Sequence, residues 1–179
     1  MELIHEESIR LQALKEVARK MLIAARTAPK ARGVDNTVLV MIEDRATILE
    51  ISEKMRHMGE TYQMPAFTRD AENISETPIL LLMGTRLRSV DLKKCGLCGH
   101  ANCHEKNQYP HIPCAFNSGD LGIAIGSAVS VAMDHRVDNR IMYTVGQAVL
   151  ELGLLGSDIK IVYAIPLNAG PKNPFFDRK

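Results

Sequence analysis

The sequence predicts an α+β protein in which a central sheet is flanked by helices and interrupted by a cysteine-rich segment. Three short apolar runs, at residues 37–42, 77–84 and 159–165, are typical of buried strands. Apolar residues that recur at every third or fourth position predict four helices around them. The stretch 85–117 shows neither an apolar run typical of a strand nor the apolar spacing of a helix, and it contains all four cysteines. A connection of that length needs something other than a hydrophobic core to order it.

The first half of the chain begins with a helix over residues 8–26, which Pro29 and Gly33 end. The run at 37–42 is predicted to be a strand buried on both faces. Asp44 is typical of a helix start and precedes the second helix. Residues 61–76 show no regular pattern and are expected to be irregular. The apolar stripes of the two helices are formed by Leu14, Val17, Ala18, Met21, Leu22, Ala25, Ile48, Ile51, Met55 and Met58.

The second half contains two helices and the last strand. Small residues at Gly119, Gly122 and Gly126 predict a helix over 118–136 that permits close backbone approach. A further helix ends at Gly153, and the strand 159–165 follows it. The tail 166–179 contains three prolines and is expected to be extended, with two adjacent phenylalanines that need a partner surface. We expect residues 1–179 to form one domain, with 85–117 as its insert.

The composition excludes several classes of protein. The 22 Lys and Arg residues nearly balance the 21 Asp and Glu residues, and the formal net charge is +1. Nucleic-acid-binding proteins usually carry a basic excess, so no nucleic-acid partner is expected. No apolar run is long enough and free enough of glycine to span a bilayer, and the first ten residues lack the apolar core of a signal peptide. We therefore expect a soluble, cytoplasmic protein with no membrane partner.

The four cysteines have the spacing C-x2-C-x4-C-x10-C, at Cys95, Cys98, Cys103 and Cys114. In a reducing cytoplasm such a cluster is more typical of metal ligands than of disulfides. Four thiolates suit a tetrahedral zinc ion or an iron–sulfur cluster. Three close cysteines and one remote cysteine favour a [4Fe–4S] cluster, because zinc ribbons usually pair two C-x-x-C motifs. Zinc stays the alternative, and three nearby histidines are further candidate zinc ligands: His100, His104 and His111.

The residues next to the cysteines suit a bound anion. Gly96 and Gly99 each follow a cysteine and allow the backbone to turn tightly around a cluster. Lys93 and Lys94 add positive charge beside the thiolates. The segment CGLCGHANC resembles the C-G-x-C-G-x-x-x-C run of small [4Fe–4S] domains in corrinoid and electron-transfer proteins.

Three other segments resemble the nitroreductase family in a shortened form. The run AARTAPKARGVDNTVLVMI (24–42) is similar to that family's segment leading into a strand. The run DLGIAIGSAVSVAMDHRV (120–137) is similar to its central helix of small residues. The run ELGLLGSDIKIVYAIPLNAG (151–170) is similar to its C-terminal helix, strand and tail.

The nitroreductase resemblance implies a nitroreductase-like sheet, an intertwined homodimer and FMN at the subunit interface. It places Arg26, Lys30 and Asn36 where the family has residues that contact the flavin. Arginine and lysine are the residue types that bind a phosphate and the flavin carbonyl region.

The combination of this scaffold with a cysteine insert resembles a family of uncharacterised proteins that contain a ferredoxin domain. The closing segment NAGPKNPFFDRK also resembles that family. We therefore expect an iron–sulfur redox protein that acts in electron transfer, with a redox protein partner, or in FMN-dependent reduction. The sequence leaves open whether the protein is an enzyme. The alternative is a non-catalytic binding module, in which zinc or a cluster only orders the insert.

Overall fold

The computed structural model describes residues 3–176 and builds them around one antiparallel sheet. The helices are α1 (Glu6–Thr27), α2 (Arg45–Thr61), α3 (Pro65–Ser75), α4 (Cys103–Asn107), α5 (Ala115–Asp134) and α6 (Tyr143–Glu151). The strands are β1 (Thr37–Ile42), β2 (Ile79–Arg86), β3 (Asp138–Asn139) and β4 (Ile159–Asn168). This arrangement confirms the predicted α+β class.

The sheet has the strand order β1-β2-β4-β3, and each neighbouring pair is antiparallel. The central strand β2 alternates its side chains between two covered faces. Leu81 and Met83 belong to the core on one face, and Leu80 and Leu82 belong to the core on the other. All four are buried, as the apolar run at 77–84 predicts.

Helices cover the sheet on both sides. Helices α1 and α5 pack on one face, where Met21, Ala124 and Ile165 are buried. Helices α2, α3 and α6 pack on the other face, where Ile51 and Val145 are buried. Within residues 3–176, no helix combines the length and apolar character needed to cross a membrane.

Strand β1 differs from the prediction that it is buried on both faces. It lies at the edge of the sheet and pairs only with β2. Five of its six residues are half-buried, and only Thr37 is buried. An edge position depends on long-range strand order, which a short apolar run does not reveal.

Helix α3 occupies part of the region 61–76, which the sequence analysis expected to be irregular, so that expectation is wrong. Its signals are a proline at the first helical position, Pro65, and apolar residues at Phe67, Ala71 and Ile74 with helical spacing. The Thr144 hydroxyl donates to its buried Asp70 at 2.7 Å and so ties α3 to α6. The two-residue strand β3 is also absent from the prediction.

The tail departs from the expectation that both phenylalanines need a partner surface. Phe175 is only 1% exposed and belongs to the same core as α2, α3 and α6. Phe176 is 62% exposed, and the Arg140 guanidinium lies 5.3 Å from its ring centroid. The chain therefore covers the first ring itself. Residues 177–179 of the predicted tail lie outside the described residues.

Candidate metal centre

The segment between β2 and α5, residues 87–114, is tied together by polar contacts. The Asp91 carboxylate accepts hydrogen bonds from the Ser89 hydroxyl at 2.9 Å and the Asn107 amide at 3.3 Å. These two bonds lower the pKa of Asp91. The irregular segment is shorter at both ends than the predicted insert 85–117, because β2 runs to Arg86 and α5 begins at Ala115.

Helix α4 fixes the position of Cys103, its first residue. The Asn102 side chain accepts from the Glu105 backbone N–H at 3.0 Å, and the Glu105 carboxylate accepts from the Ala101 N–H at 2.7 Å. Two backbone N–H groups at the helix start are thereby paired, in a variant of the capping box in which the carboxylate bonds the residue before the N-cap. Cys103 consequently lies on an ordered turn in an otherwise irregular segment.

Cys114 is held by α5, because it occupies the N-cap position of that helix. It is 6% exposed, whereas the other three cysteines are half-buried. The helix starts three residues before the predicted position 118, which brings the remote cysteine onto a rigid element. The three cysteines that are close in sequence therefore lie on the irregular segment, and the distant fourth cysteine lies at the start of α5.

The structure brings all four cysteines together. Each is a free thiol, and all four line one cavity. The other lining residues are Ser89, Val90, Leu92, Lys106, Ala115 and Phe116. A set of four thiols enclosed mainly by apolar side chains fits a metal–thiolate group, since thiolates are the ligands of zinc and of iron–sulfur clusters.

The four thiols share a cavity but do not form a preassembled metal site. Among residues 3–176, no group of three or more His, Cys, Asp or Glu side chains is arranged closely enough to hold a metal ion. Thiolates are ligands of both zinc and iron–sulfur clusters, so the lining of the cavity is compatible with either group.

The three histidines considered as zinc ligands do not line the cavity. The His100 ring stacks on Tyr109, with ring centroids 5.1 Å apart, and its Nδ1 lies 3.9 Å from the Glu105 carboxylate. His104 and His111 are exposed. The candidate ligand set is therefore the four cysteines.

The candidate flavin residues each have contacts within the protein. Arg26 lies in the last turn of α1, and Lys30 and Asn36 lie in the connection from α1 to β1. The Arg26 guanidinium is 49% exposed and pairs with Asp35. The Lys30 ammonium donates to three carbonyls at the end of α1, at 2.8 to 3.1 Å. The Asn36 side chain is buried. Of the three, Arg26 presents the most accessible positive charge.

The Asp35 carboxylate beside Arg26 has a shifted pKa. Burial raises the pKa, but hydrogen bonds from Thr37 and Arg26 outweigh burial and hold the pKa below its usual value. Asp35 is thus ionised at neutral pH and keeps Arg26 oriented along the turn.

Three hydrogen-bonded bridges join this turn to the cysteine segment and α5. The Arg32 guanidinium donates to the carbonyls of Val90 and Asp91 at 3.0 and 2.8 Å. The Asn36 amide donates to Asn117 Oδ1 at 3.1 Å, three residues after Cys114. The Asp120 carboxylate accepts from the Ala31 N–H at 3.0 Å. The turn and the candidate metal centre are therefore direct neighbours.

Two residues of this region were not predicted from the sequence. Asn117 is buried and donates to the carbonyls of Arg86 and Arg88, where the chain leaves β2. Lys106 is buried in the wall of the cysteine cavity. Their spacing in the sequence could have drawn attention to both residues, because each lies three positions after a cysteine.

Comparison with known proteins identifies the family and the fold. A family model described as "Uncharacterized protein containing a ferredoxin domain" matches residues 111–178. An uncharacterized protein of Archaeoglobus fulgidus is 36% identical over 183 residues, which cover 98% of this chain and 97% of the relative. The family description points to redox chemistry.

Solved structures of nitroreductases share the fold at low identity. A nitroreductase family protein from Clostridium novyi NT has a TM-score of 0.58 at 12% identity, over 87% of this chain and 74% of that protein. An FMN-dependent nitroreductase from Clostridium difficile R20291 has a TM-score of 0.56 at 15% identity, over 88% and 77% of the two chains. The chain therefore has a nitroreductase-like fold and belongs to the family of uncharacterized proteins containing a ferredoxin domain.

Proposed function

We propose that this protein is a cytoplasmic iron–sulfur redox protein in which Cys95, Cys98, Cys103 and Cys114 hold a [4Fe–4S] cluster. The observation that carries this proposal is the convergence of all four thiols on one cavity. A [4Fe–4S] cluster supplies one-electron exchange when it is bound. The chain supplies the ligands, with three on the irregular segment and one at the start of α5.

The surroundings of the thiols support such a group in two ways. Val90, Leu92 and Phe116 add apolar side chains to the cavity wall, which reduces the contact of the thiolates with water. Gly96 and Gly99 lie between the loop cysteines, and Gly99 has a φ of +87°. That left-handed conformation suits glycine and lets the backbone turn between Cys98 and Cys103.

The test is the composition and colour of protein purified without oxygen. We expect a broad brown absorbance with about four iron and four sulfide per chain, the stoichiometry of a [4Fe–4S] cluster. A colourless protein with one zinc per chain would contradict the cluster. It would favour the alternative of a non-catalytic module ordered by structural zinc.

We further propose that FMN binds beside the turn from Arg26 to Asn36, which would make the protein an FMN-dependent oxidoreductase. FMN, when bound, stores two electrons and transfers hydride. Arg26 offers exposed positive charge for a phosphate, while Lys30 and Asn36 hold the shape of the turn. The fold shared with an FMN-dependent nitroreductase supports this placement.

Combined Arg26→Ala and Lys30→Ala substitutions should weaken FMN binding by about a hundredfold. The change removes the Arg26 charge offered to the phosphate, where one hydrogen bond to a charged group contributes about 1.5–3 kcal/mol, and the Lys30 ammonium that holds the turn in shape. Titration of FMN fluorescence measures this change, and the iron content should stay at the wild-type value. The matched control removes the same charges from the exposed positions Arg19 and Lys20 on α1. Equal FMN affinity of the two double variants would contradict the proposed flavin site.

We also propose a homodimer formed through the outer face of α5. A Cβ atom added at Gly119, Gly122 or Gly126 would meet nothing within 4 Å, so this face is open. Ile123 and Met133 on the same helix are 47% and 61% exposed. An uncharged face of this kind suits close packing against an identical helix of a second copy.

Gly126→Arg should convert the dimer to a monomer, since a long charged side chain would enter the centre of the contact. Light scattering at micromolar concentration measures the mass. Gln147→Arg is the matched control, because Gln147 is exposed on α6, on the opposite side of the sheet. A wild-type protein of monomeric mass would contradict the dimer, and so would a dimeric Gly126→Arg variant.

A further inference from the structure

Lys106 is an unusually placed cation. Its side chain is 2% exposed, and it lines the same cavity as the four cysteines. Lysine is almost never fully buried unless it is paired, because removing an ammonium from water is costly. A buried lysine in a cavity wall therefore calls for a partner of opposite charge.

The described part of the protein provides no such partner. The Lys106 ammonium donates to the Leu87 carbonyl at 2.9 Å. No carboxylate within residues 3–176 forms an ion pair with it. The adjacent Glu105 is engaged instead with the Ala101 N–H at 2.7 Å. One neutral carbonyl leaves the positive charge of Lys106 uncompensated by protein groups.

We propose that Lys106 compensates the negative charge of the metal–thiolate group in this cavity and thereby raises its reduction potential. This inference rests on the proposed function. Four thiolates around a [4Fe–4S] core carry net negative charge, and reduction adds one more. A buried cation favours the more negative, reduced form, since charges interact strongly away from water. The single carbonyl bond and helix α4 hold the ammonium in place for this role.

Lys93 lies on the same segment and provides a control for charge alone. The sequence suggested that Lys93 adds positive charge beside the thiolates, but Lys93 is exposed and does not line the cavity, so its charge is screened by water and salt. Lys106→Met and Lys93→Met remove the same charge, and Lys106→Arg keeps the charge at the buried position. The measurement is the midpoint potential of the bound cluster in an anaerobic redox titration, with the iron content determined in parallel.

At a fixed potential near the midpoint, the reduced-to-oxidised ratio should fall about tenfold in Lys106→Met, which corresponds to about 59 mV for one electron. Lys106→Arg and Lys93→Met should stay close to the wild-type potential. An unchanged potential in Lys106→Met, with full iron content, would overturn the role of Lys106 and leave the proposed cluster intact. A wild-type protein without iron would overturn both.

The substitution to methionine could instead prevent the cluster from assembling. In that case, the iron contents of Lys106→Arg and Lys106→Gln show whether the charge of Lys106 is required. Retention of iron by the arginine variant and loss by the glutamine variant would support charge compensation. Equal iron contents in these two variants would overturn it, because the position would then require shape and not charge.

Discussion

Cys114→Ser should lose most of the bound metal and loosen the segment 87–114. The same result is expected for Ser at Cys95, Cys98 or Cys103, because the four thiols line one cavity and the proposed cluster bonds all of them. The segment has little regular structure besides the five-residue helix α4, so the proposed cluster would supply much of its order. Metal content measures the first effect, and limited proteolysis between residues 87 and 114 measures the second.

His104→Ala and His111→Ala are the controls for the cysteine variants. Both histidines are exposed and neither lines the cavity, so these variants should keep the wild-type metal content. Full metal content in Cys114→Ser would show that the remote ligand is assigned wrongly. Loss of metal in His104→Ala or His111→Ala would instead support a zinc site with both cysteine and histidine ligands.

Gly146→Ala should destabilise the whole fold by about 3 kcal/mol or more. Gly146 lies where α6 crosses β4, and an added Cβ would lie 1.8 Å from the Val162 carbonyl oxygen and 2.6 Å from its carbon. Both atoms are backbone, so no side chain can rotate away and the helix must move off the sheet. Urea unfolding followed by circular dichroism measures the free energy of unfolding.

Gln147→Ala is the matched control, because Gln147 is exposed on the same helix, α6. Its free energy of unfolding should stay within about 0.5 kcal/mol of the wild-type value, since glutamine and alanine both favour a helix. A wild-type unfolding midpoint for Gly146→Ala would contradict the close contact of α6 with β4.

The sequence predicted elements whose signals are local. The apolar runs gave β2 and β4, and the apolar stripes gave α1 and α2, with Asp44 accepting from the Thr47 N–H at 2.9 Å as an N-cap. Helix α3 also has a local signal, the proline start and the spacing of Phe67, Ala71 and Ile74, but it lies among polar residues that resemble a loop.

Features that depend on distant parts of the chain were not predicted. The half-buried state of β1 follows from its position at the sheet edge, and the burial of Phe175 follows from a contact with helices far earlier in the sequence. The four cysteines could be grouped by spacing alone. Lys106 could not be placed among them, because a lysine in a polar segment looks solvated until the fold buries it.

Because Cys114 lies at the start of a core helix, the four thiols differ in how exposed they are to oxidation. Cys95, Cys98 and Cys103 are half-buried on the irregular segment, whereas Cys114 is 6% exposed and covered by the core. Oxidation of cysteine to sulfenic and higher acids follows exposure of the sulfur. We therefore expect an oxidant to modify the three half-buried cysteines before it modifies Cys114.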